Sequence, residues 1–226
     1  MGREIYTLKR YEERYANFLT KEISESDICI DVGGNIGFYS MLMACKCKEG
    51  EVHSFEPIPL NAKLIEANAC LNSMGNIHVN QLALGEKSCE LSFLLASDSA
   101  YSSAKFNNQN STHNRISVKQ ITLDQYIESR GIKNVDIMKV DVEGGEFGVL
   151  QGAQRLLSSD FGPRLIMLEL FDDYLKAHGS SAHAVLSMLM NFGYQPFYPG
   201  DDGQLMPFQS KDINKVYNVI FIKQIS

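Results

Sequence analysis

No stretch of this chain is apolar for long enough to span a bilayer. Residues 1–21 are rich in charge and lack the apolar centre of a secretory signal. We therefore expect no membrane partner and a cytoplasmic location. No Cys-x-x-Cys pair occurs among the five cysteines, Cys29, Cys45, Cys47, Cys70 and Cys89. Their odd number and spacing argue against a disulfide framework and a zinc site, so reduced thiols and no bound metal are expected. A basic excess is missing too. The net charge of -6 disfavours a nucleic-acid backbone, whose binding rests on clustered Lys and Arg. Internal repeats and linkers are absent, so one domain over residues 1–226 is the simplest account. The dinucleotide fingerprint Gly-x-Gly-x-x-Gly fails as well: counted from Gly33, its later glycines fall on Asn35 and Phe38.

What is present is a strand, a glycine turn and a helix in close succession. Ile28, Ile30 and Val32 form a β-branched run that meets Gly33-Gly34-Asn35-Ile36-Gly37, and a helix-friendly segment follows. Gly33 and Gly37 can take backbone angles closed to other residues, and Asn35 tolerates the left-handed region. A helix starting here points free N–H groups at the turn, a setting for a carboxylate or phosphate. Residues 51–56 read as a second strand ended by Pro57, which puts Glu56 at its C-terminal end. That is about 20 residues past the turn, where an acidic group holds ribose hydroxyls in doubly wound nucleotide folds.

The rest alternates in the same way. Residues 1–25 hold an amphipathic helix that we expect to pack against the sheet. Residues 59–71 form a helix with Leu60, Leu64, Ile65 and Leu71 as its apolar stripe. Residues 77–84 are a third strand, whose end offers Ala83 and Leu84 as apolar and backbone contacts for a ligand ring. Residues 89–95 and 116–122 read as further strands. Between them, residues 96–117 are too long and polar for a plain connection and read as a substrate loop. This loop contains His113, a weak candidate, and a Tyr101/Lys105 pair without the helical setting an oxidoreductase would need. The segment from Val135 to Glu146 delivers Asp141 and Glu143 to a strand end, with Glu146 opening the next helix. Residues 163–170 end in a further carboxylate, Glu169. Two closing strands, 194–198 and 216–222, complete an α/β pattern: a mostly parallel sheet with one reversed edge strand. Carboxylates collected at strand ends are costly unless they hold a ligand or a partner.

These motifs resemble the FkbM-type methyltransferases. The carrying residues are Asp31 to Tyr39, Phe55-Glu56-Pro57, Ala83-Leu84-Gly85, Thr122-Leu123-Asp124, Met138 to Glu146, Leu150-x-Gly152-Ala153 and Glu169. Gly34 stands where that family often has Ala. The resemblance implies a class I methyltransferase fold, a Rossmann-like sandwich on a seven-stranded sheet, with S-adenosylmethionine as cofactor. It also implies O-methylation of a hydroxyl on a sugar, a glycan or a polyketide-type small molecule. It would place Asp31, Gly33, Asn35, Gly37 and Phe38 at the methionine end, Glu56 at the ribose, Ala83 and Leu84 near the adenine, and Asp141 beneath cofactor or acceptor. Glu143 is the first choice of base, followed by Glu146 and Glu169. Asp172 and Asp173 lie near enough in sequence to Glu169 to keep a hard-cation site open. A cofactor-binding module without catalysis and a nicotinamide-dependent oxidoreductase are the competing readings. Base flipping is disfavoured by the absence of an Asn/Asp-Pro-Pro-Tyr/Phe motif.

Overall fold

The computed structural model describes residues 12–94 and 115–224. His113, Tyr101, Lys105 and most of the expected substrate loop lie outside the described residues. Residues 115–117 belong to a strand instead.

The sheet is organised around β1 (Ile28–Val32), which lies in its interior with four of five residues buried. It pairs in parallel with β2 (Glu51–Phe55) on one side and β7 (Ile137–Val140) on the other. Outward from β2 runs β3 (Ile77–Asn80), and outward from β7 runs β8 (Leu165–Glu169), both parallel. Short β-branched and apolar runs buried on both faces suit such a position. Beyond β8 the chain reverses. β11 (Asn218–Lys223) lies antiparallel between β8 and β9 (Tyr194–Pro199), and β10 (Leu205–Pro207) adds an antiparallel edge. The sheet therefore has eight strands, in the order β10-β9-β11-β8-β7-β1-β2-β3, against seven expected. The reversed strand β11 fills a slot inside the sheet, because the crossover after β8 sets β9 one position further out.

Helices cover the sheet. α1 (Glu13–Glu22) buries Ala16, Phe18 and Leu19, and α2 (Phe38–Lys46) follows the glycine turn. α3 (Pro59–Leu71) opens with Pro at its first position, where the missing N–H costs nothing. Its orientation overturns one expectation. Ala62, Ile65 and Ala69 are its buried side, while Leu60, Leu64 and Leu71 are exposed. Its small residues let it sit close on the sheet, and this turns the leucines outward.

The expected third strand breaks in two. Leu82 N–H donates to Asn80 O at 2.8 Å, and Asn80 Nδ2 donates to Ser54 O and His78 O. This tight turn sends β4 (Ala83–Leu84) into a second sheet of order β4-β6-β5, with β5 (Cys89–Leu94) and β6 (Arg115–Ile121). α4 (Leu123–Arg130) starts on a Thr122/Gln125 capping box and ends on Gly131 in the left-handed region. The helix after Glu146 is also interrupted. α5 (Glu146–Gln151) stops at Gly152, which lies too close to Gly85 O for any Cβ, and α6 (Gln154–Ser158) follows. α7 (Asp172–Ala177), which the pattern did not suggest, and α8 (Ala182–Asn191) finish that side. Among the described residues no helix is long and apolar enough to cross a membrane.

Candidate functional site

The parallel strands β1, β2, β7 and β8 all deliver their C-terminal ends to one cavity of about 1390 Å³. That exceeds the roughly 300–1,000 Å³ of an ordinary small-molecule pocket. Its wall contains Gly33 and Asn35 after β1, Glu56 and Asn61 after β2, Asp141 and Glu143 after β7, and Glu169 after β8. Ala83 and Leu84 join them, with Ile58, Leu82 and Phe147 as apolar neighbours. The far wall is aromatic: Phe171, Tyr174, Tyr198 and Tyr217. There Phe171 meets Tyr174 edge-on at 4.5 Å and Tyr217 at 5.1 Å between ring centres.

The glycine turn is held from below. Gly33 and Gly34 both donate to Phe55 O, and Gly37 donates to Gly34 O. Asn35 takes φ 50, the left-handed geometry its side chain tolerates, and its N–H donates to Glu56 Oε2 at 2.8 Å. These four N–H groups of the turn are therefore engaged within the chain. Glu56 binds the turn to the next helix, because its Oε1 accepts from Ile58 N–H, also at 2.8 Å. Burial raises its carboxyl to about 7, against the pull of those two N–H groups. Beside it, Asn61 is only 2% exposed, and its Oδ1 has no hydrogen-bond partner.

Lys139 is a buried cation that pairs with the wall residue Asp141. It is 3% exposed on β7, with Nζ at 3.2 Å from Asp141 Oδ2, 3.6 Å from Asp31 Oδ1 and 3.2 Å from Gly33 O. Burial alone would lower its pKa, but Asp141 and Asp31 together hold the ammonium above its ordinary value. Around it stands a group of carboxyls that are also raised, which for them favours the neutral form. Glu143 and Glu146 are each raised to about 7, first by burial. For Glu143 the charges of Asp141 and Glu146 add to the rise. Glu169 lies well above the carboxylate range, through burial and then repulsion from Asp141, Glu143 and Glu146. Its Oε2 is buried without a partner, as is Ser180 Oγ, and both residues belong to the cavity wall. Glu143 also sits at φ 55, an uncommon conformation for a residue with a side chain and one found at functional turns.

Five of the residues chosen from the sequence stand away from this wall. Asp31 is fully buried beneath the turn, where it accepts from Ser40 Oγ and faces Lys139. Glu146 is 1% exposed and accepts from Val142 N–H and Gly144 N–H, so it staples the turn that carries Glu143. Gly37 and Phe38 belong to the start of α2, behind Asn35. Asp172 is committed elsewhere, to Lys176 at 2.7 Å and Ala182 N–H at 2.8 Å. Among the described residues no group of three His, Cys, Asp or Glu is placed to hold a metal.

Sequence reasoning missed Lys139, Asn61 and Ser180 as site residues, and of two places for the N-terminal helix, over the site or against the sheet, it favoured the sheet. Lys139 had a readable signal, a lysine inside an apolar strand, which demands buried counter-charges. The others had none. Glu12, Arg14 and Tyr15 join the cavity wall. Tyr39 Oη donates to Glu12 Oε2 at 2.6 Å, Asn218 Nδ2 to Glu12 Oε1 at 3.1 Å, and Tyr15 Oη to Asn218 O at 2.7 Å. α1 thus packs on the sheet as expected and also carries part of the site.

Comparison with known proteins bears on this arrangement. The hexuronic acid methyltransferase AglP of Haloferax volcanii is 31% identical over 159 residues, covering 69% of this chain and 63% of that protein. The 31-O-demethyl-FK506 methyltransferase FkbM of Streptomyces tacrolimicus is 24% identical over 180 residues, 67% of each chain. This chain thus spans about two thirds or less of the curated relatives it matches. Among solved structures, a methyltransferase FkbM from Methylobacillus flagellatus superposes with a TM-score of 0.59 at 15% identity, over 88% of this chain and 44% of that one. It shares the class I methyltransferase fold. The model of the methyltransferase FkbM domain matches residues 31–196, the stretch that runs from the glycine turn through every strand-end carboxylate, and the chain belongs to that family.

Proposed function

We propose that this chain is an S-adenosylmethionine-dependent O-methyltransferase acting on a hydroxyl of a sugar or glycan. The observation that carries the reading is the convergence of Glu56, Asp141, Glu143 and Glu169 on one cavity. A nucleoside has a matching place there. Glu56 and the unpartnered Asn61 Oδ1 are two acceptors for a vicinal diol, beside the apolar surface of Ile58, Leu82 and Leu84. The carboxylate of Asp141 offers an anionic wall to a cationic group. When bound, the cofactor supplies a methyl group already activated on a sulfonium.

The chain's own task is then to align the acceptor oxygen and remove its proton. Glu143 is the group for the proton. Its carboxyl, raised to about 7, is ionised in half the molecules near neutrality and basic enough to accept a proton. Glu169, held mostly protonated, and Ser180 Oγ present polar atoms without protein partners to a hydroxylated acceptor. The aromatic wall of Phe171, Tyr174 and Tyr217 suits a sugar ring that needs an apolar face covered and its hydroxyls bonded. Sugar acceptance is further supported by the name of the Haloferax relative, which acts on a hexuronic acid. A polyketide-type acceptor is the other class, by the name of the FK506 relative. The commitment of Asp172 to Lys176 and Ala182 supports a reaction without a divalent cation, so turnover should be unchanged in EDTA.

Calorimetric titration with S-adenosylmethionine, S-adenosylhomocysteine and NAD tests the cofactor. Binding of the first two, weakened at least about tenfold in Asn61→Ala and Glu56→Ala, is the expected result. Heat only with NAD would overturn the reading. With an acceptor found by screening free sugars, glycans and polyketides, Glu143→Gln should lower kcat by about 10²–10⁴. It should also abolish the rise of kcat through pH 7. An unchanged pH profile would remove Glu143 from the role.

A further inference from the structure

We propose that the outward face of α3 is a self-association surface, on which a second copy of this chain docks with its own α3 antiparallel. Leu60, Leu64, Ala67 and Leu71 are all exposed, and their spacing is four, three and four residues. On a helix that spacing makes one straight stripe, about 16 Å long at 1.5 Å per residue. The buried side, Ala62, Ile65 and Ala69, lies diametrically opposite. The leucines therefore project away from the body of the molecule, and Leu60 and Leu71 are 64% and 82% exposed. Three of the seven exposed large hydrophobic residues among those described sit on this one helix. Single exposed leucines are unremarkable, whereas an ordered stripe marks a contact surface.

The charges beside the stripe select the occupant and its direction. One flank is closed, since Asn61 is buried and Asn68 Nδ2 is bonded to Ile36 O. The open flank carries Lys63, Glu66 and Cys70, all exposed. Neither Lys63 nor Glu66 has an ion-pair partner among the described residues. Two parallel copies would set the Lys63/Glu66 flank of each against the closed Asn61/Asn68 flank of the other, leaving those charges without a partner. An antiparallel two-fold places Leu60 against Leu71 and Leu64 against the small Ala67. It also brings Lys63 of each copy between Glu66 and Cys70 of the other. The surface is thus complementary to itself in shape and charge, as an isologous interface must be. One helix seam falls short of the roughly 1,000 Å² of a durable interface, so the association is a weak one. Ile58 and Asn61, at the start of the same helix, line the cavity, so the contact braces one side of the site.

Sedimentation of the purified chain from about 1 to about 200 µM reads the association directly. A weight-average mass that climbs from monomer toward dimer is expected. The double variant Leu60→Glu/Leu64→Glu should move the midpoint up by at least about tenfold. A monomer across the whole range, or a dimer untouched by those substitutions, would overturn the proposal. Direction is read separately, with a short bis-maleimide on Lys63→Cys in a Cys45→Ser background. Crosslinking between copies, from the introduced thiol to its counterpart or to Cys70, supports the antiparallel seam. No crosslink at concentrations where the dimer is populated would indicate the parallel arrangement and sink it.

Discussion

Lys139 shows how one residue ties the fold to the site. Its ammonium is the salt-bridge partner of both Asp31 and Asp141, and it lies 5.4 Å from the centre of the Tyr39 ring. Removing it leaves Asp31 fully buried and Asp141 partly buried, both without that counter-charge. We therefore expect Lys139→Met to cost about 3 kcal/mol in urea unfolding, within the range for breaking a buried ion pair. Adding Asp31→Asn should recover a substantial part, because it removes one orphaned charge. A double variant as unstable as the single one would show that Asp31 is not the source of the loss. Asn61 is a milder case: its side chain bonds Glu56 while its Oδ1 lacks a partner, so Asn61→Ala should cost about 1–2 kcal/mol while weakening nucleoside binding.

At the scale of elements, the strand–turn–helix unit is where sequence and structure agree most closely. β1 and α2 fall where the β-branched run and the glycines put them. Gly34, where relatives of this type often carry Ala, has its own reason. A Cβ there would run into Ser54 Oγ and come within 2.9 Å of Ile65 Cδ1. Ser54 Oγ in turn lies 2.9 Å from Ser40 Oγ, which donates to Asp31. Gly34→Ala should therefore destabilise by about 1–3 kcal/mol, and Ser54→Ala beside it should relieve much of that by deleting the obstructing oxygen. Thermal unfolding of the three variants decides the matter, and a neutral Gly34→Ala would mean the turn can shift away from β2. Other elements were less legible. The apolar pattern of α3 gave a helix but the wrong buried side, because periodicity reports a face and not which neighbour covers it. The break at Asn80 and the stop at Gly152 depend on contacts with Ser54 and Gly85 that no local pattern encodes. The strand-end carboxylates were readable because topology sends all parallel strand ends to one side. Which of them face the cavity was not. Asp31 and Glu146 carry the same acidic signal as Asp141 and Glu143, and only packing turns them inward.

Across the whole molecule these carboxyls set an unusual dependence of stability on pH. Glu56, Glu143 and Glu146 rise from an ordinary 4.5 to about 7 in the folded chain. Between those values the folded state binds more protons than the unfolded state, so stability falls as pH rises through the window. His53 works against them. Burial and its neighbour His78 lower it from 6.5 to about 4, so it favours unfolding as pH drops below 6.5. Glu169, raised further still, acts in the same direction, so four groups oppose one, and His53 opposes them less as pH approaches 7. Mutual repulsion of Glu143, Glu146 and Asp141 lets one proton relieve the others, which trims the sum. We expect the ligand-free protein to gain on the order of 1 kcal/mol per pH unit on acidification from about 7 to about 5.5. That is a rise of a few degrees in Tm for a chain of this length, where most proteins would be flat or falling. Glu146→Gln isolates one contributor. The amide oxygen can still accept from Val142 and Gly144 without a charge to bury. Its Tm should exceed the parent's at pH 7.5 and converge with it near pH 5. A parent that loses stability over that acidification would mean these carboxyls are solvated in solution, and the case for Glu143 as a base near neutrality would fall with it.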